Sequence, residues 1–424
     1  MREPSLVRLD SLAALVNEKV TTAKDPSKPY VGLEHLPSGG SLLLGTAESG
    51  QSISTNNAFR AGDVLFGKLR PRLRKSVRAP FAGYCSTDIL VLRPAADVDP
   101  IFAGFVLQSD AVFAEAIRTE EGTKMPRCSW GTLKHLRVYC PKPSQQKRIA
   151  QILSTVDEAI EQTEALIAKT QQTKAGLMHD LFTRGVTADG RLRPARDEAP
   201  ELYKETPLGW IPKEWETCRV ESLLCRIIDY RGKTPTKTHS GIPLITAKNV
   251  RMGFIDAEPR EFIDVRDYAS WMTRGIPSAT DVLFTTEAPL GNVAQVGTSE
   301  RVAFAQRVII LQPNEGIRPG WLKFRIMNDD FQRGAAERAS GTTALGIKQS
   351  EFRKICVSYP PNQNDQAAIE SVLAAVEERE RRELANMEKL AAVKAGLMQE
   401  LLAGLVPVSI ASDDEIERGD AANV

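Results

Sequence analysis

At 424 residues the chain is longer than one ordinary hydrophobic core organises, which predicts two or more domains. With 42% hydrophobic and 26% charged residues, and no apolar run near the ~20 residues of a bilayer span, it reads as globular rather than transmembrane. A formal net charge of +1 removes any blanket attraction to nucleic acid, so a phosphate-binding surface has to be local.

In chain order, Met1-Arg2-Glu3-Pro4 runs into Leu9-Asp10-Ser11-Leu12 with neither an apolar signal core nor a small-residue cleavage site, which predicts a cytoplasmic protein. Residues 1–142 carry short β-type runs such as Ile89-Leu90-Val91-Leu92 between Gly, Pro and Asp turn signals, and predict a first α/β domain. Within it Arg60, Lys68, Arg70, Arg72, Arg74, Lys75 and Arg78 surround a single acid, Asp63, next to the strand-like Asp63-Val64-Leu65-Phe66. Such a run neutralises phosphates or sets an arginine on a guanine edge. The plainer reading is a solvated charged hairpin.

Residues 143–184 predict one long helix, because from Gln145 to Thr183 only Gly176 interrupts a run of helix formers. Ile149, Leu153, Val156, Ile160, Thr163, Ile167, Thr170, Lys174, Leu177 and Leu181 follow the alternating 4,3 spacing of a coiled-coil seam. Residues 185–212, with Asp189-Gly190, several prolines and mixed charge, read as a linker. A second α/β domain is predicted over 213–361. A second helix follows over 362–404, with a looser seam of Ile369, Leu373, Val376, Met387, Leu390, Leu397 and Leu401. Two seams of equal length in one chain most simply pack on each other, the alternative being that each lies on its own domain. Residues 405–424 are predicted to be a disordered tail.

The two halves are one unit written twice. Arg8-Leu9-Asp10-Ser11-Leu12 resembles Arg219-Val220-Glu221-Ser222-Leu223, Asp63-Val64-Leu65-Phe66 returns as Asp281-Val282-Leu283-Phe284, and Gly122-Thr123 as Gly341-Thr342. Lys174-Ala175-Gly176-Leu177-Met178 returns letter for letter as Lys394-Ala395-Gly396-Leu397-Met398. The offset drifts from 211 to 220 in one direction along the chain, as duplication with small loop insertions produces. Framework positions repeat while others diverge: Thr87-Asp88 stands against Gln306-Arg307, Lys124-Met125 against Thr343-Ala344, and the basic run against Thr285-Thr286-Glu287-Ala288-Pro289-Leu290.

No catalytic residue can be assigned. Tyr359-Pro360-Pro361-Asn362 has its polar and aromatic residues on the wrong sides for an amino-methyltransferase motif, and no phosphate-loop pattern occurs. The six cysteines form no C-x-x-C pair and the four histidines stand singly, which argues against a zinc or redox site.

Over nearly its whole length this layout resembles the specificity subunit of type I restriction-modification systems. The resemblance is carried by Thr206-Pro207-Leu208-Gly209-Trp210-Ile211-Pro212-Lys213-Glu214-Trp215, Gly232-Lys233-Thr234-Pro235, the Gly-Thr loops at Gly122 and Gly341, and the helix starts Gln145-Gln146-Lys147-Arg148-Ile149 and Asp365-Gln366-Ala367-Ala368-Ile369. It implies an α+β protein in which two target-recognition domains are separated by an antiparallel coiled coil, with no chemistry of its own. It further implies recognition of an interrupted double-stranded DNA site and assembly with two methyltransferase subunits and with restriction subunits. S-adenosylmethionine, ATP and magnesium would belong to those partners and none to this chain. Candidate DNA contacts are Lys68, Arg70, Arg72, Arg74, Lys75, Thr123 and Lys124 in the first unit, and Lys233, Lys248, Asn249, Gln306, Arg307, Thr342 and Thr343 in the second. The two seams are the candidate partner-binding elements. A scaffold whose two α/β domains bind protein is the alternative function.

Overall fold

The computed structural model describes residues 6–21, 28–40, 42–48, 55–230, 234–341 and 344–408. Two compact units emerge: unit 1 joins Met1–Ala165 to Ala385–Val424, and unit 2 is Leu166–Leu384. The predicted tail from residue 409 onward lies outside the described residues.

Unit 1 is built on an antiparallel sheet ordered Ala13–Val16, Ile89–Pro94, Val64–Gly67, Ser76–Arg78. Alternate side chains leave a strand on opposite faces, and here both faces are covered. Val64, Phe66 and Leu92 enter a core with Leu9, Phe102 and Phe113, the last two from the helices Pro100–Gln108 and Asp110–Arg118. Leu65, Val77, Ile89 and Val91 enter another with Val31, Phe59 and Cys85 of a five-stranded sheet. Two-sided burial is why Ile89-Leu90-Val91-Leu92 is apolar without alternation. In that five-stranded sheet Pro29–Val31 runs parallel to Gly83–Cys85.

Unit 2 repeats the four-stranded sheet and its two cores, with a three-stranded second sheet where unit 1 has five strands. Its sheet is ordered Leu224–Asp229, Val308–Pro313, Val282–Thr286, Leu290–Gln295. Val282, Phe284, Ile309 and Leu311 face one core, and Leu283, Val308 and Ile310 the other. Ile242–Ile245 is parallel to Ala303–Phe304, as its counterpart is in unit 1.

Each α/β domain closes with a two-stranded ribbon, Leu6–Arg8 with Arg137–Tyr139 and Glu216–Arg219 with Cys356–Tyr359, directly before a long helix. The helices are Pro143–Thr183 and Gln363–Leu401. A buried glutamine anchors each start. Gln146 accepts the Asp99 N–H at 2.9 Å and donates to the Pro141 carbonyl at 2.8 Å. Gln366 accepts the Arg318 N–H at 2.8 Å and donates to the Pro360 carbonyl at 2.9 Å.

Within both units the helices run antiparallel. In unit 1 Gln145 reaches the Val408 carbonyl, and Lys394 pairs with Asp157 at 2.6 Å. In unit 2 Lys174 meets Glu380 at 3.1 Å and Glu377 at 3.5 Å. The two lysines belong to the repeated pentapeptide, so the duplicated sequence makes the same bond in each unit. Ile149, Leu153, Thr163, Ile167, Thr170 and Leu181 are buried, as are Ile369, Leu373 and Leu401. Val156, Ile160, Lys174, Leu177, Val376, Met387, Leu390 and Leu397 are half-buried along the same stripe. Ile149 and Leu153 also belong to their own domain's core, and so do Ile369 and Leu373, so both predicted packings of the helices coexist at these starts.

The residues after the first helix are folded onto unit 2. Gly185, at φ +66, ends the helix where a Cβ would come 2.9 Å from the Trp215 ring, so glycine is required there. The hairpin Tyr203–Thr206/Gly209–Pro212 follows, and Val186, Ile211 and Trp215 are core residues. No single helix among the described residues is long and apolar enough to cross a membrane.

Candidate nucleic-acid interface

In unit 1 the strand Val64–Gly67 runs out into residues 68–74, and main-chain bonds stitch this segment to residues 121–128. Lys68 N–H donates to the Asp88 carbonyl at 3.0 Å, Cys128 N–H to the Lys68 carbonyl at 3.0 Å, and Arg70 N–H to the Pro126 carbonyl at 2.7 Å. Glu121 and Arg127 exchange two bonds of 2.9 Å, closing a loop whose turn needs a left-handed residue, Gly122 at φ 97. The segment carrying Lys68 and Arg70 is thereby joined to the loop carrying Thr123 and Lys124, and a concavity beside this junction is lined by Lys68, Leu90, Met125, Arg127 and Trp130.

The arginines of this surface differ in how far they are engaged. Arg72 donates to Glu120 at 2.8 Å, Arg127 to Asp88 at 2.9 Å, and Arg74 to Asp110 while lying 5.1 Å from the Phe113 ring centre. Arg70 and Lys124 are exposed and form no ion pair among the described residues. One member of the basic run and its single acid are structural. Lys75 Nζ donates to the Leu33 carbonyl at 2.6 Å, so its expected DNA contact is corrected to a bond holding the neighbouring turn. Asp63 is buried, accepting the Arg60 N–H at 2.9 Å and both ends of the Arg93 guanidinium at 2.8 Å. It therefore does not offset charge on the surface. Its counterpart Asp281 does the same with Ser278 N–H and Gln312, both at 2.8 Å. Cys128 is no nucleophile, since burial pushes its thiol up to about 11.

Unit 2 uses the same main-chain frame. Thr286 N–H donates to the Arg307 carbonyl at 2.9 Å, Ile347 N–H to the Thr286 carbonyl at 2.9 Å, and Ser340 and Gly346 exchange bonds of 2.9 and 3.0 Å. The side chains on that frame are different. Arg307 is exposed and only loosely paired with Glu287 at 3.6 Å, and Gln306 donates to Thr234 at 3.3 Å. Lys248 is exposed on a separate turn. Asn249, expected among the DNA contacts, is corrected: it is 2% exposed, and its amide accepts from Thr246 N–H and Oγ1 and donates to the Asp256 and Pro259 carbonyls. It builds the turn that displays Lys248. Lys233, Thr342 and Thr343 lie outside the described residues.

Backbone strain concentrates at these two places. Among the described residues the non-glycine positions with positive φ are Arg70 (51°), Arg74 (53°), Ala288 (48°) and Arg307 (76°), and all four lie on the two stitched frames. Sequence inspection gives no signal for them, because glycine is what usually marks a left-handed turn. The carboxylate partners Glu120 and Asp110 were likewise missed, standing 48 and 36 residues from their arginines.

Residues 15–172 match the family model described as the type I restriction modification DNA specificity domain. The chain is 24% identical over 297 residues to the type I restriction enzyme MjaVIII specificity subunit of Methanocaldococcus jannaschii, covering 68% of this chain and 66% of that one. It is 24% identical over 286 residues to the putative MjaX specificity subunit of the same organism, covering 65% and 60%. The chain thus spans somewhat under two thirds of the length of these relatives. The fold is that of the S subunit of a type I restriction-modification system from M. genitalium, with a TM-score of 0.58 at 15% identity over 97% of this chain and 98% of that one.

Proposed function

We infer that this chain, which carries a type I restriction modification DNA specificity domain over residues 15–172 and the same fold again in unit 2, is a DNA-specificity subunit that reads a bipartite, interrupted duplex site. The observation that carries the reading is the pair of stitched frames. The Lys68–Asp88 and Cys128–Lys68 bonds and the Glu121/Arg127 pair recur as Thr286–Arg307, Ile347–Thr286 and the Ser340/Gly346 pair, while the side chains displayed on them have diverged. A structural role repeated twice has no use for that divergence, whereas two reading heads for two different half-sites require it. Cations of unit 1 would position the DNA through its phosphates, with Lys124 immediately available and Arg72 and Arg74 released from Glu120 and Asp110 on contact.

The chain would perform no chemistry. Two methyltransferase subunits would assemble with it in the cytoplasm, using the long helices and the residues of their seams, and restriction subunits would join them. S-adenosylmethionine, ATP and magnesium would be held by those partners. The test is duplex binding by the chain assembled with its methyltransferase, followed across a salt series. Log affinity should fall linearly with log salt, with a slope near −0.9 per phosphate contacted. Charge removal at Arg70, Arg72 and Arg74 together should flatten that slope. A complex without salt-dependent duplex binding would exclude this function and favour the protein-binding scaffold.

A further inference from the structure

We propose that Arg70 in unit 1 and Arg307 in unit 2 are the residues that determine base specificity, each offering its guanidinium to one guanine of its half-site. The proposal rests on the DNA-reading function above and names the residues that carry it.

The duplication allows the two frames to be compared corner by corner. Arg70 corresponds to Ala288, and both are left-handed, at φ 51 and 48, and both precede a proline. A left-handed residue before a proline is therefore common to both turns, which differ in the side chain it carries and in the peptide bond that follows, cis at Ala288–Pro289. Arg307 corresponds to Asp88. In unit 1 that corner is closed, because Asp88 is locked to Arg127 at 2.9 Å. In unit 2 the position of Arg127 is Gly346, and Arg307 is left exposed with only the 3.6 Å contact to Glu287. Each unit thus displays one weakly held or unpaired arginine from a left-handed residue, at a different corner of the same frame.

These two arginines have anchored stems and available heads. The Arg70 N–H is held by Pro126 at 2.7 Å and the Arg307 carbonyl by Thr286 at 2.9 Å. Arg74, the third left-handed arginine, is tied to Asp110 and Phe113. A phosphate contact needs no such anchoring, and a flexible lysine such as Lys124 or Lys248 supplies it. A bidentate bond to guanine O6 and N7 does need a directed fork, which a fixed backbone provides with little ordering left to do. Holding arginine where glycine is the comfortable residue is the kind of strain that collects at working sites.

The experiment uses the assembled complex and competitor duplexes that differ from the recognised site by one base pair at a time, through both half-sites. Arg70→Ala should abolish discrimination at a single G·C pair of one half-site, by roughly 10- to 100-fold, and leave the other half-site unchanged. Arg307→Ala should do the converse. Arg70→Lys should keep the salt slope without restoring discrimination. Arg70→Gly controls for folding: glycine suits φ 51, so thermal stability should be kept or raised while discrimination is still lost. Equal weakening toward every duplex, with a salt slope lower by about one contact, would overturn the assignment and make the residue a phosphate contact. Unchanged discrimination would overturn it as well. A parent complex that discriminates no site would instead remove the DNA-reading function on which the proposal stands.

Discussion

A glutamine side chain carries one acceptor and one two-proton donor, and Gln146 and Gln366 use both to fasten a long helix to the domain behind it. Replacing Gln146 by Met keeps the volume and leaves the Asp99 N–H and the Pro141 carbonyl without this partner. The expected cost to unit 1 is about 2–6 kcal/mol in denaturant unfolding, at about 1–3 kcal/mol per unsatisfied group. Arg325 poses a related problem in charge. It is 1% exposed, and its neutralising partner is Asp330. Burial acts to raise the Asp330 carboxyl, yet the Arg325 guanidinium beside it holds it below its ordinary value. A depressed carboxylate stabilises the fold above its unfolded value and loses that contribution as pH falls through the lower folded one. Unit 2 should therefore weaken in acid below about pH 4, and Asp330→Asn should reduce that acid dependence, as read by pH-dependent melting. At this scale the sequence was least legible. The glutamines stood in a motif without a role, and Lys75 and Asn249 looked like surface readers because charge and polarity in a string of letters do not reveal burial.

Elements were far easier to read. The steady offset between the halves predicted equivalent strands, and the antiparallel sheets are equivalent in order and in the faces they bury. The 4,3 spacing found the buried stripe of both helices, with polar members named in the first and Lys394 left out of the looser second. Lys174 and Lys394 lie in that stripe and bind acids of the facing helix. Charged pairs in a seam specify register and direction more than they stabilise. Converting Lys394 to Met together with Asp157 to Leu should leave melting unchanged or raise it by about 1 kcal/mol, while the helices gain freedom to pair out of register. Light scattering should then show larger species that grow with concentration. A variant with the parent's mass at every concentration would mean that the apolar positions alone set the pairing. The segment 185–212 was read as a linker from its prolines and glycines, and a local reading could not find the Trp215 that receives it.

For the whole molecule, two separately cored units predict separable reading. Exchanging Lys213 to Pro360 for the matching segment of a relative should change one half of the recognised site and preserve the other, measured by selecting bound sequences from a random duplex pool. Alteration of both halves would mean that the units do not read independently. Sequence periodicity placed divisions at the ends of the helices, because that is where the pattern changes. The division by contacts falls inside them, so unit 2 is the uninterrupted stretch Leu166–Leu384 while unit 1 needs both ends of the chain. Leu401 and Leu402 share a core with Leu9 and Phe102. During synthesis the part that leaves the ribosome first is therefore completed last. Unit 2 has all its residues once Leu384 has emerged, while unit 1 waits with apolar surface open, a state exposed to chaperones and proteases. A chain terminated at Leu384 should accordingly fail at the opposite end from its lesion, with brief proteolysis sparing unit 2 and digesting the amino-terminal domain.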